Sequence, residues 1–151
     1  MLREDINNNL KAAMKAGDKR QISTLRLINA AIKDRDIEAR GAGRAALGDE
    51  ELHTLLQKMI KQRQESLSIY EQAGRHELAS QEREEIAIIA SYLPQQMSEA
   101  DMRHVIADVI QQTGAVGLRD IGKVMTSLKQ GYAGKMDFAR ASALAKTLLS
   151  A

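Results

Sequence analysis

A cluster of lysine and arginine side chains near the C-terminal end carries the strongest chemical signal in this sequence. Residues 114–151 hold six basic and two acidic residues. Positive side chains this close together can contact the phosphates of a nucleic acid, which makes binding depend on salt. A surface that only keeps the chain soluble is the alternative. The pattern predicts a nucleic-acid-binding surface formed by Arg119, Lys123, Lys129, Lys135 and Arg140.

Gly122 lies inside this cluster, early in a predicted helix. A glycine within a helix costs about 1 kcal/mol of stability relative to alanine. Close approach of another backbone would explain it. That backbone could belong to a neighbouring helix of the same fold or to a partner, and both explanations stay open.

Residues that could catalyse a reaction are missing from the sequence. His53, His76 and His104 are widely spaced, and none has another histidine or an acid at a metal-ligand spacing. The absence of cysteine excludes thiolate chemistry and cysteine-based zinc sites. Glycine-rich phosphate loops need a preceding strand, and none is predicted. We therefore predict no catalytic residue, no metal site and no cofactor.

Several charged residues in the middle of the chain allow two interpretations. The carboxylates of Glu82, Glu84 and Glu85 are expected to form a solvated helix face, with an acid/base pair as the alternative. Arg63 and Arg75, with Glu82 and beside Tyr70, could form an intramolecular ion-pair network or a contact surface.

The elements that must position these residues are predicted to be helices. Leucine, isoleucine, methionine and alanine supply the apolar positions, and these are good helix formers, whereas β-branched runs typical of strands are absent. Leu2, Ile6, Leu10 and Met14 recur every four residues, as on one face of a helix. Side chains that can cap further helices follow at Asp18, Asp49, Ser98 and Asp137.

Pro94 is expected to end a helix, because proline lacks an N–H and disfavours helical backbone in the residue before it. The sequence therefore predicts an all-α protein with an N-terminal four-helix module over residues 1–93 and a C-terminal three-helix module over residues 95–151. No apolar run approaches the roughly 20 residues of a membrane span. The early acids do not resemble a signal peptide, so a cytoplasmic location and no membrane partner are predicted.

Two blocks of residues resemble the YqeY-like proteins of the GatB/YqeY family. The blocks are Lys61-Gln62-Arg63-Gln64-Glu65-Ser66 with Tyr70 to Leu78, Glu82, Glu85 and Tyr92-Leu93-Pro94, and later Gly122-Lys123-Val124-Met125 with Gly134-Lys135-Met136-Asp137. The C-terminal part is similar to the tail domain of GatB, a component of the glutamine-dependent aspartyl/glutamyl-tRNA amidotransferase. Glu77 and Phe138 depart slightly from the family pattern.

The resemblance implies an accessory role in tRNA metabolism. The amidotransferase tail is a helical appendage that helps to hold tRNA, and the family label is that of a carbon–nitrogen ligase with glutamine as the nitrogen donor. The catalytic parts of such a ligase are not recognisable here, so activity as an enzyme is left open and not expected. Expected partners are tRNA or another structured RNA, and an aminoacyl-tRNA synthetase or amidotransferase component. A protein–protein adaptor for a tRNA-metabolism enzyme is the alternative function.

Overall fold

The structure is a computed structural model that describes residues 1–150 of the 151-residue chain. It confirms the all-helical prediction, and no strand occurs among these 150 residues. The seven α-helices are α1 (Leu2–Ala16), α2 (Lys19–Gly41), α3 (Asp49–Gln72), α4 (His76–Ala90), α5 (Glu99–Thr113), α6 (Ile121–Tyr132) and α7 (Phe138–Ser150). A 3-10 helix at Leu118–Asp120 leads directly into α6.

The chain forms two compact units, which we call the N-terminal unit (Met1–Pro94) and the C-terminal unit (from Gln95). Local signals set the helix ends in the N-terminal unit. Gly17 follows α1 with a φ of 72°, and the side chain of Asp18 accepts the N–H of Gln21 to begin α2. The cap predicted at Asp49 is wrong, because Gly48 holds that position and Asp49 is the first helical residue.

The core of the N-terminal unit forms where α3 packs on α4, α1 on α2, and α2 on α4. Leu2 and Ile6 of the predicted α1 stripe lie in this core, together with apolar residues of α2 and α3. Met14 is an exception, because it closes the predicted apolar stripe of α1 and yet is 51% exposed. In this unit the largest fully buried apolar side chains are Ile6, Leu25, Ile28, Leu52, Leu56 and Ile89.

The C-terminal unit has its own apolar core between α5, α6 and α7. Ser98 caps α5 by accepting the N–H of Asp101 at 3.1 Å. Methionine, valine, isoleucine, leucine and alanine fill the core: Met102, Ile106, Val109, Val124, Leu128, Met136, Ala141, Ala145 and Leu149. This packing leaves the outer faces of α6 and α7 in solvent, and those faces carry three of the five predicted cations, Lys123, Lys129 and Arg140.

Within residues 1–150, none of the helices combines the length and the apolar character needed to cross a bilayer.

Candidate nucleic-acid interface

The five predicted cations are all exposed, and they lie on the 3-10 helix, on α6 and α7, and in the turn between these two helices. Arg119 is in the 3-10 helix, and Lys123 and Lys129 are on α6. Lys135 is in the turn that follows α6, and Arg140 is in the first turn of α7.

A hydrogen-bonded turn places Arg119 and Lys123. The carboxylate of Asp120 accepts the N–H of Val116 at 3.0 Å, and the N–H of Asp120 donates to the carbonyl of Gly117 at 2.9 Å. The hydrogen bond from Val116 holds the pKa of Asp120 below its ordinary value, and nearby Lys123 and Arg119 act in the same direction. Asp120 is therefore a carboxylate at neutral pH, and it balances part of the charge of its two cationic neighbours.

A second anchored turn places Lys135 and Arg140. The carbonyl of Lys135 accepts the N–H of Met97 at 2.9 Å, and its own N–H donates to the carbonyl of Tyr132 at 3.1 Å. Asp137 then begins α7, because its Oδ1 accepts the N–H of Ala139 at 3.0 Å and, more weakly, that of Arg140 at 3.4 Å. Both acids of residues 114–150 are thus engaged by backbone amides.

The five cations differ in whether a carboxylate lies close enough to form an ion pair with them. Arg140 lies 3.4 Å from Glu99, which also pairs with Arg103 at 3.2 Å. Lys129 and Lys135 have no carboxylate within 4.0 Å anywhere in the described part of the chain. The most available positive charges therefore belong to these two lysines.

Neither α6 nor α7 contains an acidic residue. Lys123 and Lys129 leave α6 about 120° apart at 3.6 residues per turn, so they flank its exposed face, where Gly122 and Thr126 lie. Lys146 on α7 is also exposed and unpaired among residues 1–150. Lys146 was not among the predicted cations, although the acid-free composition of its helix could have indicated it.

Gly122 is not required by packing within the fold. A Cβ built at this position would meet no heavy atom within 4 Å outside its own stretch of helix. The helix-packing explanation is therefore wrong for the described residues. Close approach by a partner stays a prediction.

Of the predicted solvated face of α4, Glu84 is exposed, whereas Glu82 and Glu85 are less exposed than expected. Glu85 is only 6% exposed, so the prediction of a solvated face is wrong for this residue. Its Oε2 accepts the Nε–H of Arg63 at 3.1 Å, and its Oε1 accepts the amide of Gln81 at 3.3 Å. Arg63 therefore takes part in an intramolecular ion pair that joins α3 to α4, with Glu85 and not with Glu82. Arg75 is exposed and forms no ion pair within residues 1–150.

Burial raises the pKa of Glu82, and the neighbouring carboxylate of Glu85 raises it further, while Arg63 opposes both. One oxygen of Glu82, Oε2, is buried without a hydrogen-bond partner among residues 1–150. His53 is half-buried, and His76 and His104 are exposed. No three histidine, aspartate or glutamate side chains within residues 1–150 come together as metal ligands could.

A model of the family described as "Yqey-like protein" matches residues 3–149 of the chain. A curated relative from Lachancea thermotolerans, named "Altered inheritance of mitochondria protein 41, mitochondrial", is 31% identical over 125 residues. The protein of the same name from Vanderwaltozyma polyspora is 28% identical over 123 residues. These alignments cover 79% and 77% of this chain, and 65% and 64% of the relatives' lengths.

The names of these relatives contradict the predicted location. Both of them, and a third relative from Eremothecium gossypii that is 32% identical over 88 residues, are named as mitochondrial proteins. The prediction of a cytoplasmic location is therefore wrong.

Proposed function

The chain belongs to the Yqey-like protein family, and from that premise we propose that it is an RNA-binding accessory protein without a catalytic site of its own. In this proposal the C-terminal unit contacts the sugar–phosphate backbone of a structured RNA, with tRNA as the first candidate. The resemblance of this unit to the amidotransferase tail supports the choice of tRNA.

The observation that carries the proposal is the uncompensated charge of α6, α7 and the turn between them. Lys129 and Lys135 are exposed and lack an ion-pair partner among residues 1–150, and neither helix contributes an acid. When such cations bind the phosphates of a nucleic acid, they displace the counterions that surround it. This release is the main source of affinity in many nucleic-acid complexes.

The composition of this surface favours recognition of shape over recognition of bases. Tyr132 and Phe138 are the aromatic residues of this unit, and both are half-buried against its core. Stacking of unpaired bases usually needs exposed aromatic rings. The surface therefore suits the phosphates and 2′-hydroxyls of a folded RNA.

The test is the fluorescence anisotropy of labelled bulk tRNA with the full chain at low and moderate salt. We expect binding that weakens steeply as salt rises. Lys129→Gln with Lys135→Gln should lower the slope of log affinity against log salt by about one per lost phosphate contact.

The matched control is Lys11→Gln with Lys33→Gln, because both residues are exposed, unpaired lysines of the N-terminal unit within residues 1–150. This control should bind as the unaltered chain does. The proposal fails if tRNA does not bind at low salt or if its affinity does not depend on the salt concentration. It also fails if the control loses as much affinity as the variant with Lys129→Gln and Lys135→Gln.

A second candidate function is a protein–protein adaptor that engages a synthetase or an amidotransferase component. It is favoured by two exposed apolar side chains beside Arg119, namely Val116 at 76% and Leu118 at 52% exposure. A pull-down with the purified candidate partner after nuclease treatment separates the two functions. Binding that survives nuclease and is lost in Leu118→Ser would favour the adaptor.

A further inference from the structure

A groove between α2 and α3 in the N-terminal unit is separate from the cationic surface described above. Its volume is about 280 Å³. Residues of both helices and of the loop between them line it: Arg35, Glu38, Arg44, Leu47, Glu51, Thr54, Leu55 and Lys58. The groove exists because α3 packs mainly on α4, whereas α2 packs mainly on α1 and α4.

One wall of the groove is held by a network of charged hydrogen bonds. Arg3 contacts both carboxylate oxygens of Asp36, at 2.7 and 2.6 Å, and donates to the carbonyl of Leu47 at 3.0 Å. Asp36 in turn accepts the N–H of Leu47 at 3.0 Å. The contact with Arg3 holds the pKa of Asp36 below its ordinary value, so the network stays charged at neutral pH. Leu47 is thereby fixed at the side of the groove.

The charges in the lining do not balance. Arg35 pairs with Glu38 at 3.7 Å, and Arg44 pairs with Glu51 at 3.6 Å. All four of these side chains are more than two-fifths exposed, so the pairs are weak and can open. Lys58 has no ion-pair partner within residues 1–150. The lining as a whole therefore carries one excess positive charge.

Apolar surface lies beside the free ammonium group. Leu55 is one turn before Lys58 on α3 and is 8% exposed, and Leu47 packs against the same core. The hydroxyl of Thr54 donates to the carbonyl of Glu50 at 3.2 Å, so the cations are the groups left to bind an anion. Convergent polar groups over an apolar floor are typical of small-molecule sites.

We propose that this groove binds a small organic anion, with its carboxylate or phosphate at Lys58 and its hydrocarbon part against Leu55 and Leu47. A volume of about 280 Å³ lies just below the range of about 300 to 1,000 Å³ that is usual for small-molecule sites, so we expect a small ligand. Hexanoate and n-butyl phosphate are suitable probes, and they differ only in the chemistry of the anionic group and the length of the chain.

The test is a titration of the full chain with each of these two compounds, followed by the NMR signals of the Leu47 and Leu55 methyl groups. We expect saturable shifts with at least one of the two, and the stronger binder identifies the preferred anion. Lys58→Gln should weaken binding about fivefold, as expected for loss of a partly exposed ion pair. Hexylammonium, which has the opposite charge, should not produce these shifts.

Lys61→Gln is the matched control, because Lys61 is an exposed, unpaired lysine (among residues 1–150) that lies one turn further along α3 and outside the groove. It should leave binding unchanged. The proposal is overturned if neither anion gives saturable shifts, if hexylammonium binds as well, or if the two lysine variants behave alike. RNA binding by the C-terminal unit is measured separately, so either proposal can fail alone.

Discussion

The two units are built from the same kind of helix but use their charged side chains differently. The N-terminal unit has 15 basic and 15 acidic residues, and six ion pairs join them within residues 1–94. The C-terminal unit has seven basic and five acidic residues, and its ion pairs within residues 95–150 both involve Glu99. Six of the 15 cations in the first unit therefore pair with an acid of the same unit, against two of the seven in the second.

This difference shows that net charge alone says little about where a polyanion could bind. The whole chain carries a net charge of only +2. What matters is whether each cation has a local carboxylate, since a paired arginine or lysine has little charge left for a phosphate. Substitutions in either unit can test this contrast, and we expect the largest effect where an ion pair is buried.

That largest effect belongs to the pair between Arg63 and Glu85 in the N-terminal unit. Arg63→Ala would leave the carboxylate of Glu85, which is 6% exposed, without its Arg63 partner. A buried charge that loses its partner costs about 3 kcal/mol or more of unfolding free energy. Urea denaturation, followed by backbone amide NMR signals of the N-terminal unit, would measure the loss.

Arg83→Ala provides the control for that measurement. The pair between Arg83 and Glu71 joins the same two helices, but its side chains are 55% and 48% exposed. Loss of such a pair costs at most about 1 kcal/mol. Equal losses in the two variants would show that the Arg63 pair stabilises the fold no more than an exposed pair does, and would contradict the expected effect of its burial.

Much of the helical fold could be predicted from local residue types. Gly17, Asp18, Ser98 and Asp137 mark helix ends where the structure has them, because caps and left-handed glycines act within a few residues. Asp49 was misplaced by one position, since a helix can begin with acids in its first turn as readily as with an acid at the cap.

The candidate sites were less predictable because they depend on distant neighbours. Nothing near Glu85 in the sequence indicates that Arg63, 22 residues earlier, would be its partner in a buried pair. The same holds for Gly122, whose surroundings are open although its sequence context allows packing against another helix as an explanation. The pairing state of each cation likewise follows from how helices pack, and composition does not reveal it.

A medium effect is expected at Gly122 in the C-terminal unit. Gly122→Ala should raise the unfolding free energy by up to about 1 kcal/mol, because alanine is the better helix former and its Cβ meets no heavy atom within 4 Å. Thermal unfolding followed by circular dichroism would measure the gain. If a partner's backbone approaches this glycine closely, tRNA affinity should fall while stability rises.

A rise in stability together with a fall in tRNA affinity would support the interpretation that a partner approaches the face of α6 at Gly122. A gain in stability with unchanged tRNA affinity would place the RNA away from this face of α6. A loss of stability would contradict the open surroundings of Gly122. It would also contradict the interpretation that the outer face of α6 at this position does not contribute to packing within the unit.

The smallest effect is expected at Glu82 in the N-terminal unit. Its Oε2 is buried without a hydrogen-bond partner among residues 1–150, and burial and then Glu85 raise its pKa above the ordinary value. Between the ordinary and the raised pKa, the folded chain holds a proton that the unfolded chain has released. The contribution of Glu82 to stability therefore falls as pH rises through this window.

Glu82→Gln removes this titration while keeping the shape of the side chain. We expect the variant to be more stable than the unaltered chain at neutral pH, by less than about 1 kcal/mol because the residue is partly exposed. The difference should vanish below the ordinary glutamate pKa of about 4.3, where both chains carry a neutral group. Glu65→Gln, at an exposed position of α3, should show no such pH dependence. A variant less stable than the unaltered chain at neutral pH would mean that the carboxylate of Glu82 makes a favourable interaction, and that the acids of this unit are matched by cations more completely than the contacts around Arg63 indicate.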